Sequence, residues 1–318
     1  MNKKHAQERV WQFIRAFRNN VVATCADKID FIIIYGSAVR KEFVPNKSDV
    51  DIIIQIYNKE DKAFIEKTAT DIFWRITNQY KDLGFHESLS TSSKEEKILE
   101  KTLQTLEAAS FLYVPVFVFV KGDIDWKKGN IKSDNPLINI GKHLLIPQRS
   151  VFLKFKQEGE VLYGRDIRQE IDITITKLDR LRISLAPLFL SKFGILLSPI
   201  STKKSVSYTT KALLYHIDGL LGTIDQYKKM NRDEKIEKNK KILLEEFTMS
   251  LSALFHIQLD HTKGSLTPKD FLLFKKAINI KWGEIHLSKW QTILFSIKAH
   301  WFIVRSTFRA ILYIIIKQ

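Results

Sequence analysis

Apolar residues in the first half of the chain recur with two different periods. Residues 4–24 have the spacing of a helix that buries one face, whereas Phe31 to Tyr35 and Val50 to Ile56 are β-branched runs typical of strands. The same patterns predict further helices over about 59–81 and 93–109 and further strands over 84–90 and 113–122. Within the 59–81 helix, the predicted buried positions are Phe64, Ala69, Ile72, Phe73 and Ile76.

The second half of the chain reads differently. Residues 122–150 are rich in turn-forming residues and predict a long connection. After Asp166 the pattern predicts helices over 169–193, 207–228 and 235–259, one that opens at Thr267 and Pro268, and a C-terminal helix. We therefore expect an α+β protein. Residues 1–165 would form a mixed sheet with flanking helices, and residues 166–318 an all-α domain.

The C-terminal stretch "AHWFIVRSTFRAILYIIIKQ" is strongly apolar but carries Arg305 and Arg309. It therefore lacks the roughly 20 consecutive apolar residues of a membrane span. We expect no stable membrane insertion and a buried helix of the helical domain, with a peripheral membrane contact as the alternative.

Charge and cysteine content bear on the binding partners and the cellular compartment of the protein. The net charge of +16 is uneven, because residues 166–318 hold 25 Lys and Arg against 14 Asp and Glu, a net of +11. Such a surface could attract a polyanion such as RNA, although biased composition explains it equally well. The single cysteine, Cys25, excludes an intrachain disulfide and a thiolate metal cluster, which fits a cytoplasmic protein. The oligomeric state is left open.

Two aspartates, Asp49 and Asp51, open the second apolar strand. Residues two apart in a strand point to the same face, so both carboxylates would project side by side and repel each other unless a cation lies between them. The preceding strand ends in Gly36 and Ser37, which can approach and bind phosphate oxygens. The eleven residues between Ser37 and Asp49 allow one helical turn and a return loop.

Basic residues in that connection, Arg40, Lys41 and Lys47, can neutralise a triphosphate. A strand, Gly-Ser, a short spacer and Asp-x-Asp resemble the nucleotidyltransferase superfamily, which includes DNA polymerase beta and aminoglycoside nucleotidyltransferases. In "YGSAVRKEFVPNKSDVDIII", Ser48 precedes the first aspartate and Arg40 stands where an arginine is usual, whereas Lys41 replaces a frequent glycine. The segment "EGEVLYGRDI" resembles the one that closes the catalytic domain in many members.

The resemblance implies the following roles. Asp49 and Asp51 would hold Mg²⁺ or Mn²⁺ against the α-phosphate of a nucleoside triphosphate, and Gly36 and Ser37 would hold the β and γ phosphates. The remaining nucleotide-binding residues would be Arg40, Lys47 and Ser48.

A third carboxylate is usual in the family, on the next strand, as a metal ligand and an aid to deprotonating the acceptor. The order of strands points to Glu87, which could equally be a solvent-facing residue of an edge strand. Asp123 and Asp125 are the fallback, although their setting is typical of turns.

The expected function is transfer of a nucleoside monophosphate, AMP being the expected group, to a hydroxyl of RNA or protein, with release of pyrophosphate. One alternative is a nucleotide-binding or antitoxin-like module with degraded catalysis. Another is a small-molecule nucleotidyltransferase of the aminoglycoside type, which the basic second half disfavours because a cationic acceptor requires an acidic pocket.

Overall fold

The computed structural model describes residues 2–48, 50–85, 116–131, 148–224, 232–247 and 266–317. The chain divides into two compact units, Met1–Thr174 and Ile175–Gln318. A sheet with helices in the first and helices in the second confirm the predicted α+β class. The sequence-based domain limits, 1–165 and 166–318, stay a prediction.

The first unit contains three described helices and six described strands. In chain order these are α1 Lys3–Cys25, β1 Ile29–Tyr35, β2 Asp51–Ile56, α2 Lys62–Thr77, β3 Val116–Val120, β4 Ile124–Asp125, β5 Asn130–Ile131, α3 Gln148–Glu158 and β6 Glu160–Gly164.

A four-stranded sheet with the order β3-β2-β1-β6 forms the centre of the first unit. β2 pairs antiparallel with β1 and parallel with β3, while β6 pairs antiparallel with the other side of β1. β1 is therefore central, which explains its almost uninterrupted apolar sequence. The segment "EGEVLYGRDI" indeed completes this sheet, because it contains β6.

Hydrophobic clusters cover both faces of the sheet. On one face, Ile32 and Ile34 of β1 and Ile52 and Ile54 of β2 pack in the cluster that includes buried residues of α1 and α2. On the other, Phe31 and Ile33 join a cluster that the sequence pattern did not reveal: Ile124, Trp126, Phe152, Phe155, Ile167 and Ile171. The strands are thus held rigidly between two cores.

Two sequence predictions in this unit are corrected. Phe64 of α2 is exposed and Ile65 is buried instead, because Ile65, Ala69, Ile72 and Ile76 follow one face of the helix and Phe64 lies about 100° away. Residues 122–150 are also more than a connection: they contain the hairpin of β4 and β5, and α3 begins at Gln148. Helix 93–109 and residues 86–90 of the predicted third strand lie outside the described residues.

Helices are the only regular elements among the described residues of the second unit. Its α-helices are α4 Lys177–Leu197, α5 Thr202–Ile224, α6 Arg232–Lys241, α7 Leu272–Trp282 and α8 Lys289–Lys317, and a π-helical turn, Ile242–Glu246, follows α6. The first helix begins eight residues later than predicted, because Thr176 and Asp179 form a capping box that fixes its start.

Among the described residues, no helix has the length and hydropathy needed to cross a membrane, as the two arginines of the C-terminal stretch predicted. The stretch forms a helix of the second unit, as expected, but it is buried on one face only. α8 buries one face, with Phe295, Phe302 and Ile303 in the core of the second unit, but it leaves Trp301 and Phe308 exposed.

Candidate active site

The candidate site lies where β1 ends and β2 begins. Tyr35, the last residue of β1, is paired in register with Asp51, the first residue of β2. Asp51 is half-buried, and the two buried positions that follow on the opposite face, Ile52 and Ile54, anchor its strand in the core. The sheet therefore fixes the backbone of Asp51 at the first residue of β2, an interior strand. The sequence likewise predicted that Asp51 lies at the start of this strand. Asp49 lies outside the described residues.

Gly36 brings the loop that follows β1 against this carboxylate. Its φ angle of +88° lies in the left-handed region that favours glycine. A Cβ atom at this position would lie only 2.6 Å from Asp51 Oδ2. The φ angle therefore favours glycine here, and a larger residue would also have to displace the Asp51 carboxylate.

The loop after Gly36 is ordered by its own backbone. Arg40 N–H donates to the Gly36 carbonyl (3.2 Å) and Glu42 N–H donates to the Ser37 carbonyl (2.9 Å), so the chain makes the helix-like turn that the spacing predicted. Lys41 adopts a φ angle of +61° in this turn, which explains why a glycine suits that position. Ser37 is buried beside Gly36.

Ser48 and Lys47 close the loop. The buried Ser48 hydroxyl accepts a hydrogen bond from Val44 N–H (3.0 Å), so its observed contact stabilises the turn that leads into β2. The Lys47 side chain is exposed as a whole, although neighbouring atoms partly desolvate its ammonium group and lower its pKa.

Arg40 is held between two acids. Its Nη1 donates to Glu158 Oε2 at 2.7 Å, and its Nε donates to Glu42 Oε2 at 3.2 Å. All three side chains are less than one-fifth exposed. The Arg40 guanidinium, which was predicted to bind the nucleotide, is thus neutralised within the protein. Its hydrogen bond to Glu158 connects the loop to the end of α3.

Sequence reasoning missed the two partners that position this loop. Glu158 is the first residue of "EGEVLYGRDI", so the family resemblance of that segment was a usable signal. Gln7 of α1 donates a hydrogen bond from Nε2 to the Ala38 carbonyl, and nothing in its helical setting could have indicated this contact.

Two of the three candidates for the third carboxylate, Asp123 and Asp125, lie among the described residues. Glu87 lies outside the described residues. Asp123 Oδ2 accepts a hydrogen bond from Val120 N–H (3.0 Å), and Asp125 Oδ1 accepts one from Lys128 N–H (2.9 Å). Both fallback residues therefore stabilise turns, in line with their sequence setting.

The residues present at the site suit a hard divalent cation. Among the described residues, no three His, Cys, Asp or Glu side chains form a metal-binding group, and two of the three predicted ligands, Asp49 and Glu87, lie outside that set. The described member, Asp51, offers carboxylate oxygens beside a backbone turn whose left-handed φ angle favours glycine. Such oxygens are the ligands that Mg²⁺ and Mn²⁺ prefer.

A buried polar network supports the same two strands. Asp30 of β1 accepts hydrogen bonds from Gln55 Nε2 (2.8 Å) and Arg165 Nη2 (2.8 Å), and Trp126 Nε1 donates to Gln55 Oε1 (2.7 Å). Burial by itself would raise the pKa of Asp30, but the hydrogen bonds from Arg165 and Gln55 and the charge of Arg165 outweigh burial and lower it. Asp30 is therefore a structural anion that joins β1, β2 and the end of β6.

Comparison with known proteins confirms the class that these features indicate. Residues 19–112 match the model of the nucleotidyltransferase domain, which spans β1, the Gly-Ser turn and β2. Residues 19–112 thus carry a nucleotidyltransferase domain. No curated protein matches the chain.

One solved structure similar to this chain is a spectinomycin adenyltransferase, AAD(9), from Enterococcus faecialis, with ATP and spectinomycin. The alignment covers 93% of this chain and 98% of that chain, at 12% identity and a TM-score of 0.42. A likeness at this level carries no argument about the substrate of the present protein.

Proposed function

We propose that this protein transfers a nucleoside monophosphate, AMP in the expected case, from a nucleoside triphosphate to an acceptor hydroxyl and releases pyrophosphate. The observation that carries the proposal is the contact between Gly36 and Asp51. It joins a backbone turn suited to phosphate oxygens with a carboxylate suited to a metal, within one hydrogen-bonded strand pair. The nucleotidyltransferase domain match over residues 19–112 supports the same reaction.

The chain's own residues would divide the work as follows. Gly36 and Ser37 would bind the β and γ phosphates, and Asp49 and Asp51 would hold one or two divalent cations, with Glu87 as the proposed third ligand. Bound there, Mg²⁺ or Mn²⁺ would neutralise phosphate charge and polarise the α-phosphate toward attack.

The basic residues would divide into two groups. Lys47, exposed at the end of the loop, would bind a phosphate oxygen through its ammonium group. Arg40 would act chiefly by holding the loop against α3, because Glu42 and Glu158 already balance its charge.

We propose the class of acceptor from the net charge of the second half of the chain. Residues 166–318 carry a net charge of +11, which favours an anionic acceptor such as an RNA end and disfavours a polycationic small molecule. An RNA acceptor hydroxyl is accordingly the first to test, a protein acceptor the second and a small aminocyclitol the third.

The test is incorporation of label from each α-labelled nucleoside triphosphate, with Mg²⁺, into total RNA, lysate protein or an aminocyclitol. Label should enter one acceptor class with the wild-type protein and be lost in Asp51→Asn, which keeps the shape of the side chain but removes its charge. The matched control is Asp123→Asn, an equivalent change at a turn aspartate, which should keep the activity. Absence of transfer to all three classes, or equal transfer by Asp51→Asn, would refute the proposal.

A further inference from the structure

The outward face of α8 carries an apolar stripe. Six large side chains along it are between 38% and 76% exposed: Trp290, Leu294, Ile297, Trp301, Phe308 and Ile315. The opposite face of the same helix is buried in the core of the second unit. That face alone supplies the apolar contacts that α8 makes with this core. The stripe is additional to what the fold requires.

The spacing of the stripe is that of a helix-packing seam. The six residues, with the half-buried Val304 and Ile311 between them, follow one another at alternating steps of four and three. This is the repeat of a and d positions in a coiled coil, sustained along nearly all 29 residues of α8. A seam with this repeat is narrow and fits a second helix of similar length, about 43 Å at 1.5 Å per residue.

The area of the stripe is that of a stable interface. With about 150–250 Å² for each fully exposed large side chain, the six leave on the order of 700 Å² of apolar surface in water. The largest apolar patch on a typical monomer measures about 300–600 Å². A standard protein interface buries about 800 Å² on each partner, which is close to the stripe's area.

We propose that the stripe, defined as the eight positions from Trp290 to Ile315 named above, joins two copies of this chain through their α8 helices. A two-fold pair uses one patch on both partners, so a stripe with the length and repeat of a coiled-coil seam is its own complement. Arg305, which borders the stripe, is paired with Asp270 at 3.0 Å, so the approach of a second copy meets a neutralised charge there.

The first test is the mass of the full-length protein by sedimentation across the micromolar range. The wild type should have twice the chain mass of 37.1 kDa. Trp301→Glu should raise the dissociation constant of the dimer at least 100-fold, because it places two charges in the seam. Phe64→Glu, the same kind of change at an exposed aromatic residue of α2, should leave the dimer intact. A monomeric wild type, including one that binds lipid vesicles through α8 or covers the stripe with its own chain, overturns the proposal.

Cysteine crosslinking keeps the test decisive if Trp301→Glu misfolds. Cys25 is the single native cysteine and is buried, so any disulfide between two chains must come from the introduced cysteines. Under mild oxidation, at least one of Leu294→Cys, Val304→Cys and Phe308→Cys should form a covalent dimer, whereas Phe64→Cys should not. Parallel helices would crosslink at all three positions, and antiparallel helices only near their symmetry axis. No crosslink at any stripe position overturns the proposal.

Discussion

Gly36→Ala tests whether the close approach of the backbone to Asp51 matters for activity. The added Cβ would lie 2.6 Å from Asp51 Oδ2, whereas ordinary contact begins at 3.4 Å, so the carboxylate must recede by about 0.8 Å. A displacement near 1 Å at a reacting centre can cost about 100-fold in rate. The left-handed φ angle adds a stability cost of about 1–2 kcal/mol.

The matched control is Gly122→Ala. Gly122 has a φ angle of +101°, so the substitution carries a similar backbone strain, but its added Cβ would meet nothing within 4 Å. Both variants should therefore lose a similar amount of unfolding free energy, measured by urea denaturation. Only Gly36→Ala should lose about 100-fold in the initial rate of labelled-nucleotide transfer, which corresponds to about 2.7 kcal/mol of transition-state stabilisation.

The comparison separates a local effect from general destabilisation. If Gly36→Ala transfers nucleotide within about threefold of Gly122→Ala, the Gly36 to Asp51 contact does not set the reaction geometry, and the reasoning from that contact is wrong. If both variants lose activity equally while both remain folded, the loss comes from strain and not from displacement of Asp51.

Three further predictions concern stability. Burial lowers the pKa of His216 to about 3, so this histidine stays neutral in the fold and protonates in the unfolded chain; the free energy of unfolding should fall by up to about 1.4 kcal/mol per pH unit from pH 6.5 toward 3. Replacement by Gln should flatten that slope in denaturant titrations, and an unchanged slope would contradict the prediction. Asp30→Asn should lower the free energy of unfolding at pH 7 by roughly 1–3 kcal/mol in denaturant titrations, because the ion pair between the buried Asp30 and Arg165 is lost; the loss should shrink as pH falls below the ordinary aspartate pKa, since a lowered pKa stabilises the fold only above it. Lys41→Gly should raise the melting temperature, because relief of about 1–2 kcal/mol of left-handed strain exceeds the entropic cost of glycine, about 0.5–1 kcal/mol; an unchanged or lower value would contradict this.

The parts of the site that sequence reasoning found are local. The strands of β1 and β2 follow from short apolar runs, and the turn between them follows from Gly36 and Ser37. Asp51 follows from its place at the start of β2. Each of these depends on residues within about 25 positions of one another, where strand alternation and turn chemistry have few alternatives.

The parts that sequence reasoning missed depend on contacts across long separations. Glu158 meets Arg40 over 118 residues, and Arg165 meets Asp30 over 135. A charged residue in a linear pattern has many potential partners, and only the pairing of β6 with β1 selects these. The exposure of Phe64 was missed for a related reason, because a shift of one residue in a helix turns a side chain by about 100°.

The sequence by itself predicted the nucleotidyltransferase domain, because the Gly-Ser turn and the Asp-x-Asp pair are recognised by residue type and spacing. It also determined the α+β class, since each element has its own hydrophobic period. Only the tertiary structure decided that the Asp51 carboxylate fills the space beside Gly36, that Arg40 is balanced by Glu42 and Glu158, and that one face of α8 remains open to water. Those outcomes depend on which surfaces meet in three dimensions, and periodicity along the chain carries no information about that.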